Sequence, residues 1–249
     1  MATFDFASNT VLDLIKLLET VYDCSDIATL SLIPTEPNIL TIKTMDAFAC
    51  SQHIATVPII LRECTRFNVE VNVLLKKLSK SLKKTKNCAI RFVIVSGKSL
   101  KVTPANHLDT VVYQEASQYD LVFPPEVEEK KIEYIPVTLV LVDLATMVIN
   151  LCLGSGFVSF RTQTTGMLHL DTKTPSCSIA IEKKLQCDVP AFETVIVIKL
   201  LKVLTHSSLP SIKTVVCYIP TEKNIPVKFC VEFSKCTLTT ILYDQSKYM

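Results

Sequence analysis

Glycine is scarce in this chain, which has only four glycines among 249 residues. A loop that binds phosphate through its backbone N–H groups needs several glycines close together, so no such loop is expected. The patterns GxSxG and HExxH are also missing, and the four histidines are isolated from one another. We therefore expect a protein that is not an enzyme and that needs no cofactor.

Metal-binding patterns are missing as well. The ten cysteines never form a CxxC pair, which argues against a zinc site and favours reduced, buried thiols. The acidic run with Glu126, Glu128 and Glu129 has no His partner and is typical of a solvated segment. No metal site is expected.

No hydrophobic run is long enough to span a bilayer. Even residues 135–153 are interrupted by Pro136, Asp143 and Asn150. The sequence shows no signal peptide ahead of its cysteines. These absences favour an intracellular protein that is not secreted and not embedded in a membrane.

The formal net charge is only +2, so a nucleic-acid role would require basic residues gathered on one surface. Residues 72–86, NVLLKKLSKSLKKTK, provide such a surface because their spacing predicts a helix with one apolar and one basic face. The basic face would bind an acidic protein or a phosphate backbone, and a solvated face or a targeting signal is the alternative. The two faces consist of Leu74, Leu75, Leu78 and Leu82, and of Lys76, Lys80, Lys83 and Lys84.

The two halves of the chain have the same order of predicted elements. Helices are predicted over residues 10–22 and 72–86, and again over 143–153 and 191–206, with short alternating strands after each. Duplication of one α+β domain explains this order. Between the halves, Pro124 and Pro125 precede a charged run, which is typical of an extended connector. We predict domains over residues 1–118 and 134–249, joined by a loop over 119–133.

The last third of the chain contains SSLPSIKTVVCYI, NIPVKFCVEF and TLTTILY in that order after a predicted helix. This order resembles DNA sliding clamps of the proliferating cell nuclear antigen (PCNA) type, and the resemblance covers nearly the whole chain. Thr44-Met45-Asp46 resembles the family's Ser-Met-Asp, and VNVLLKKLSKSLKK its second N-terminal helix. The family's connecting loop is matched by Leu121, Phe123, Pro124 and Glu126.

The resemblance implies an α+β fold of two similar clamp domains, each with two helices packed on antiparallel sheets. Such a pseudo-symmetric subunit usually joins two others head to tail in a ring. The implied protein is a DNA polymerase processivity factor, a homotrimer that encircles double-stranded DNA without sequence preference. It would tether DNA polymerase and other replication or repair proteins, need a clamp loader, and act in the nucleus or a viral replication compartment. A subunit of a checkpoint-type heterotrimer, or a non-ring processivity or transcription factor of the same fold, is the alternative.

The resemblance also assigns basic helix residues to DNA. Lysine suits a sliding ring because its long, mobile side chain contacts phosphates without reading bases. Helix 143–153 has no basic residue, so the positive lining would be uneven. In helix 191–206 the basic residues lie on one stripe, for which a plain surface face is the alternative. The predicted DNA-binding residues are Lys16, Lys76, Lys77, Lys80, Lys83, Lys84, Lys199, Lys202 and His206.

Clamps bind client peptides in a hydrophobic pocket under the connecting loop. The matching residues include types that adapt to and anchor a peptide. Ordinary core packing is the alternative for three of them, Met45, Cys50 and Ile241. The full predicted pocket is Met45, Cys50, Leu121, Phe123, Pro226 and Ile241. A head-to-tail ring would further pair a strand edge within 167–182 with one within 89–115 of the next subunit.

Overall fold

The chain divides into two compact units. Unit 1 comprises Met1–Met45, His53–Val122 and Phe233–Leu238, and unit 2 comprises Asp46–Gln52, Phe123–Glu232 and Thr239–Met249. The computed structural model describes residues 2–6, 8–22, 27–33, 36–46, 50–63, 67–70, 90–95, 99–104, 111–114, 132–152, 156–174, 176–205, 214–233 and 236–246. The predicted connecting loop lies mostly outside these residues, so the predicted domain limits stay a prediction. None of the described helices is long and apolar enough to cross a membrane.

Unit 1 combines one described helix with antiparallel strands. Its elements are β1 Ala2–Phe6, α1 Ser8–Tyr22, β2 Ile27–Ile33, β3 Glu36–Met45, β4 Ser51–Pro58, of which residues 53–58 belong to this unit, β5 Ile60–Glu63, β6 Phe67–Glu70, β7 Ile90–Val95, β8 Ser99–Pro104 and β9 Val111–Gln114. Five of the strands form a sheet in the order β5-β1-β7-β8-β9, and each adjacent pair is antiparallel. Strand β2 pairs antiparallel with both β3 and β6. The predicted antiparallel meander over residues 89–115 is thereby confirmed as β7-β8-β9.

Helix α1 forms where apolar residues recur at helical spacing. The predicted apolar face is buried, with no member more than 8% exposed, and burial of each such side chain stabilises the fold by about 1.5–3 kcal/mol. Inside the helix, the Thr20 hydroxyl donates a hydrogen bond to the carbonyl of Lys16 at 2.7 Å. The residues of this face are Val11, Leu14, Ile15, Leu18 and Val21.

Unit 2 contains helix α2, a 3₁₀ helix and further antiparallel strands. Its elements are β10 Tyr134–Val140, α2 Leu141–Leu151, β11 Phe157–Gln163, β12 Met167–Thr174, β13 Cys177–Lys184, β14 Phe192–Val197, the 3₁₀ helix Ile198–Thr205, β15 Thr214–Pro220, β16 Val227–Phe233, of which residues 227–232 belong to this unit, and β17 Cys236–Leu242, of which residues 239–242 do. Four strands form a sheet in the order β13-β12-β11-β14, and β10, β15, β16 and β17 follow one another in a second sheet. This architecture confirms the predicted α+β class.

Aromatic side chains form the centre of unit 2. Phe160 of β11 packs edge to face against Phe192 of β14, with ring centroids 6.5 Å apart. Its other neighbour is Phe229 of β16, whose ring centroid is 6.4 Å away. All three side chains are at least 95% buried. Because these rings come from both sheets, the inner faces of the two sheets share one core.

The predicted helix over residues 191–206 is wrong in its first half. Residues Phe192–Val197 form strand β14, which pairs antiparallel with β11. Only Ile198–Thr205 is helical, as a 3₁₀ helix. The reason lies in the run Thr194, Val195, Ile196, Val197, since β-branched side chains favour extended backbone. Residues 192–196 also alternate between buried and more exposed positions.

The turn between β11 and β12 requires glycine. Gly166 has φ +75°, and a Cβ there would lie 3.0 Å from the carbonyl oxygen of Cys187. Its N–H donates to the carbonyl of Gln163 at 2.9 Å, and its carbonyl accepts from the N–H of Leu185 at 2.7 Å. The turn is therefore fixed against the segment that follows β13.

Candidate functional site

Lys16 lies on the outer side of α1. Its side chain is about one-third exposed, and Nζ is 3.9 Å from the Asp13 carboxylate. An exposed pair at this distance is weak, so Asp13 competes only partly for the ammonium group. The described part of α1 thus places one predicted DNA contact on the surface.

The 3₁₀ helix exposes Lys199 and Lys202. A 3₁₀ helix has three residues per turn, so side chains three apart lie one above the other. Ile198, Leu201 and Leu204 follow the same three-residue repeat and are at most 1% exposed. The two lysines therefore share an outer face although the predicted α-helix is wrong.

Helix α2 presents an apolar outer face. Val142 and Ile149 are 71% and 63% exposed, whereas Leu144, Met147, Val148 and Leu151 are buried. The helix contains no basic residue, and Asp143 forms an ion pair with Lys183 of β13. The 3₁₀ helix packs beside α2.

Several predicted DNA contacts lie outside the described residues. These are Lys76, Lys77, Lys80, Lys83 and Lys84 of the predicted basic helix, and His206. Their assignment to DNA stays a prediction.

Three residues of the predicted peptide pocket lie in unit 2. Cys50, Pro226 and Ile241 are each partly exposed, as residues that contact a ligand must be. Met45 ends β3 in unit 1 and is 7% exposed. Leu121 and Phe123 lie outside the described residues, so the pocket as a whole stays a prediction.

Cys50 is held against the end of the chain. Its carbonyl accepts a hydrogen bond from the N–H of Tyr243 at 3.0 Å, and its thiol donates to the side-chain oxygen of Gln245 at 3.3 Å. Tyr243 also donates from its hydroxyl to Gln52 Oε1 at 3.1 Å. Burial, together with the Asp46 carboxylate, raises the pKa of the Cys50 thiol, and Lys199 opposes this shift. The thiol is thus a neutral hydrogen-bond donor at neutral pH.

Pro226 lies beside one aromatic side chain, Tyr134. The Tyr134 hydroxyl donates to the carbonyl of Pro226 at 3.2 Å. Burial, with a contribution from Tyr243, raises the pKa of Tyr134 to about 12. Lys228 lies over the Tyr134 ring, with Nζ 4.5 Å from the centroid, and Tyr218 packs against the ring edge to face. These contacts fix the position of the Tyr134 ring.

Sequence reasoning missed Tyr134, Tyr243 and Gln245. Tyr134 and Pro226 are 92 residues apart in the sequence, and no motif connects them. The available signal was the position of Tyr134 at the start of β10 and of Tyr243 directly after β17, because a tyrosine at such a position can bury its ring and keep its hydroxyl bonded. Within the described ranges, no group of three His, Cys, Asp or Glu side chains could hold a metal ion.

Comparison with solved structures identifies the fold. The chain is similar to Archaeoglobus fulgidus PCNA bound to the C-terminal region of FEN-1, with a TM-score of 0.71, 12% identity and 98% of both chains covered. It has the PCNA fold. Entamoeba histolytica PCNA gives a TM-score of 0.70 at 13% identity over 98% of both chains. A Sulfolobus tokodaii PCNA2–PCNA3 complex gives 0.68 at 14% identity, over 98% of this chain and 99% of the other.

Comparison of sequences, in contrast, gives no match. No family model and no curated protein sequence matches the chain. The predicted resemblance to PCNA-type clamps is therefore confirmed through structure, over nearly the full length of the chain.

Proposed function

We propose that this protein is a DNA sliding clamp, a processivity factor that holds DNA polymerase and other replication or repair proteins on duplex DNA. The observation that carries the proposal is the PCNA fold over 98% of the chain. This fold is a scaffold without a reaction centre, so its work would be binding. DNA, client proteins and other clamp subunits are the partners to test.

Assembly into a ring is supported by the sheet edges. Among the described strands, β9 ends the five-stranded sheet of unit 1 and β13 ends the four-stranded sheet of unit 2. An unpaired edge presents free N–H and C=O groups that another strand can satisfy. A head-to-tail trimer would join β13 of one subunit to β9 of the next and leave neither edge open.

DNA passage is supported by the exposed cations. Lys16, Lys199 and Lys202 lie on the surfaces of helices. The predicted basic helix over residues 72–86 would add further lysines. Such lysines would bind phosphates without sequence preference. Since α2 offers Val142 and Ile149 instead of cations, contact with DNA would be uneven around the ring.

Client binding is supported by the surface around Pro226 and Cys50. The similar Archaeoglobus structure contains the C-terminal region of FEN-1 bound to PCNA, and we propose that this chain accepts peptides in the same general manner. The predicted loop residues Leu121 and Phe123 would supply apolar anchors, and the tyrosines would supply a rigid floor.

Light scattering and electron microscopy test the proposal directly. A particle of three times the subunit mass with a central hole is expected. A monomer at micromolar concentration, with no ring in class averages, would contradict a self-assembling clamp.

A heteromeric ring is the second candidate, because the chain is also similar to a PCNA2–PCNA3 complex. In that case the chain alone would be monomeric and would form a ring only after addition of a different clamp subunit. A homotrimer in light scattering would exclude this candidate.

A further inference from the structure

Strand β13 carries a positive charge on the side that faces the core. Ile179 and Ile181 are less exposed than the alternate residues of this strand, and Lys183 continues their face because side chains alternate along a strand. Lys183 pairs with Leu168 of β12, which is only 2% exposed. Directly opposite residues of an antiparallel pair share one face of the sheet. Lys183 therefore lies on the core side of β13.

The partner of this lysine comes from helix α2. The ammonium group of Lys183 forms an ion pair with Asp143, which lies in the first turn of α2. Each of the two side chains is 41% exposed, so water still solvates both charges in a single subunit. The N-terminus of a helix favours a negative charge, and Asp143 is therefore stabilised there even without the lysine. Lys183, in contrast, depends on Asp143 for its neutralisation.

The position of Lys183 matters because β13 is an edge. Among the described strands, β13 ends its four-stranded sheet. A charge that points inward from an edge strand disfavours the addition of another strand, because the added strand removes water from the charge. Strand β9, the partner proposed above, has the sequence VVYQ and contains no acidic residue. An acidic partner within the same subunit is therefore needed if β9 is to cover this edge.

We propose that Asp143 is a positioning residue of the subunit contact. It neutralises Lys183 and so allows β9 of the next subunit to cover the edge of β13. This inference rests on the proposed ring and names the side chain that permits its subunit contact.

The same chemistry predicts different results for single and double variants. When an ion pair becomes less solvated, removal of one partner leaves an uncompensated charge, whereas replacement of both partners by neutral side chains is often without cost. Asp143→Asn should therefore weaken the subunit contact, and the further change Lys183→Met should restore it. If the ion pair only held β13 in place, the double variant would be as weak as the single variant.

Analytical ultracentrifugation of a dilution series without DNA measures the dissociation constant of the subunit contact. Asp143→Asn should raise this constant at least about tenfold, since it leaves Lys183 charged beneath the added strand. Asp143→Asn with Lys183→Met should return it to within about threefold of the parent value. Asp171→Asn is the matched control. It makes the same chemical change and breaks the 2.9 Å ion pair with Arg161 in the same sheet, and it should leave the constant unchanged.

Thermal melting at concentrations where the subunits are monomeric separates assembly from folding. Asp143→Asn should melt close to the parent, because a partly exposed ion pair contributes little to the stability of the single subunit. If this variant melts far below the parent, the double variant decides alone, since it should both fold and assemble. A double variant that stays more than about tenfold weaker than the parent in assembly would overturn the proposal.

Failure of this proposal can be told apart from failure of the clamp proposal. A parent protein that stays monomeric contradicts the homotrimer and this inference together. A parent that forms the ring while Asp143→Asn assembles equally well contradicts this inference alone. The combination of a weakened Asp143→Asn, a restored double variant and an unchanged Asp171→Asn supports both.

Discussion

The backbone N–H of Val195 donates a hydrogen bond to the side chain of Asp244 at 3.0 Å. The same carboxylate accepts from the Thr194 hydroxyl at 3.0 Å and from the Ser246 hydroxyl at 2.6 Å. One acidic side chain therefore fixes the segment after β17 to the edge of β14. Because Cys50 and Tyr243 bond to each other in this region, the segment also shapes the predicted client surface.

The Asp244 contacts predict a pH-dependent contribution to stability. Burial acts to raise the pKa of Asp244, but the hydrogen bonds from Ser246, Val195 and Thr194 outweigh it, so the pKa is lowered. A carboxylate whose folded pKa is lowered stabilises the fold above its unfolded pKa of about 3.9 and loses this effect as pH falls through the folded value.

At pH 7, Asp244→Asn should cost about 1 kcal/mol, the worth of hydrogen bonds to a charged group discounted for solvent exposure. This corresponds to a melting temperature about 2–4 °C lower. The difference from the parent should shrink as pH falls below about 4. Asp188→Asn, at an exposed aspartate, is the control and should change little. A gap that stays constant from pH 7 to pH 3 would show that the charge of Asp244 is not the cause.

The client pocket is tested by two loop variants. Phe123→Ala and Leu121→Ala should each weaken binding of a FEN-1 C-terminal peptide by about 1–3 kcal/mol, the range for central interface anchors. Neither should lower the melting temperature, because a connecting loop lies outside both cores. The control is Val142→Ala, which truncates an exposed apolar side chain of α2 and should leave peptide affinity unchanged. A large loss of stability in both loop variants would show that Leu121 and Phe123 are core residues and that the pocket assignment is wrong.

The salt dependence of DNA binding tests the lysines. Each phosphate contact adds about 0.9 to the magnitude of the slope of log K against log salt concentration. Replacing Lys76, Lys80, Lys83 and Lys84 by Ala should reduce that magnitude by up to about 3.6, and Lys199→Ala with Lys202→Ala by up to about 1.8. Lys173→Ala, on the four-stranded sheet, should leave it unchanged. Equal slopes for the parent and both multiple variants would show that these lysines do not contact DNA phosphates.

Much of the fold could be predicted because local patterns agree with the tertiary structure. Helix α1 was predictable since Val11, Leu14 and Leu18 recur on one helical face and are all buried. Strand β14 was not predictable. Phe192–Val197 is followed directly by the 3₁₀ helix, and in the sequence the two elements form one continuous apolar segment. Burial against β11 decides the conformation, and that partner is distant in sequence.

The site was less predictable for the same physical reason. Val195 and Asp244 are 49 residues apart, and the hydrogen bonds of an aspartate with distant backbone leave no periodic signal. Lys199 and Lys202 were identified because a spacing of three residues places them on one face in either helix type. Pro226 and Cys50 were named from a resemblance, whereas Tyr134 and Gln245, which fix their surroundings, follow only from the folded chain.

The sheet edges give the last prediction. In β13, the N–H groups of Ala180 and Ile181 point in opposite directions, one toward β12 and the other toward the open edge. Proline lacks this donor, so it is tolerated only where the N–H faces away from the ladder. If β13 joins β9 of a neighbouring subunit, proline at the outward position should convert the oligomer to monomers that keep their melting temperature. Proline at the inward position should lower the melting temperature instead, and serves as the matched control. Light scattering and thermal melting of Ala180→Pro and Ile181→Pro separate the two effects. One of the two variants should keep the parent melting temperature. If that variant still forms the oligomer, the subunits contact each other through another edge.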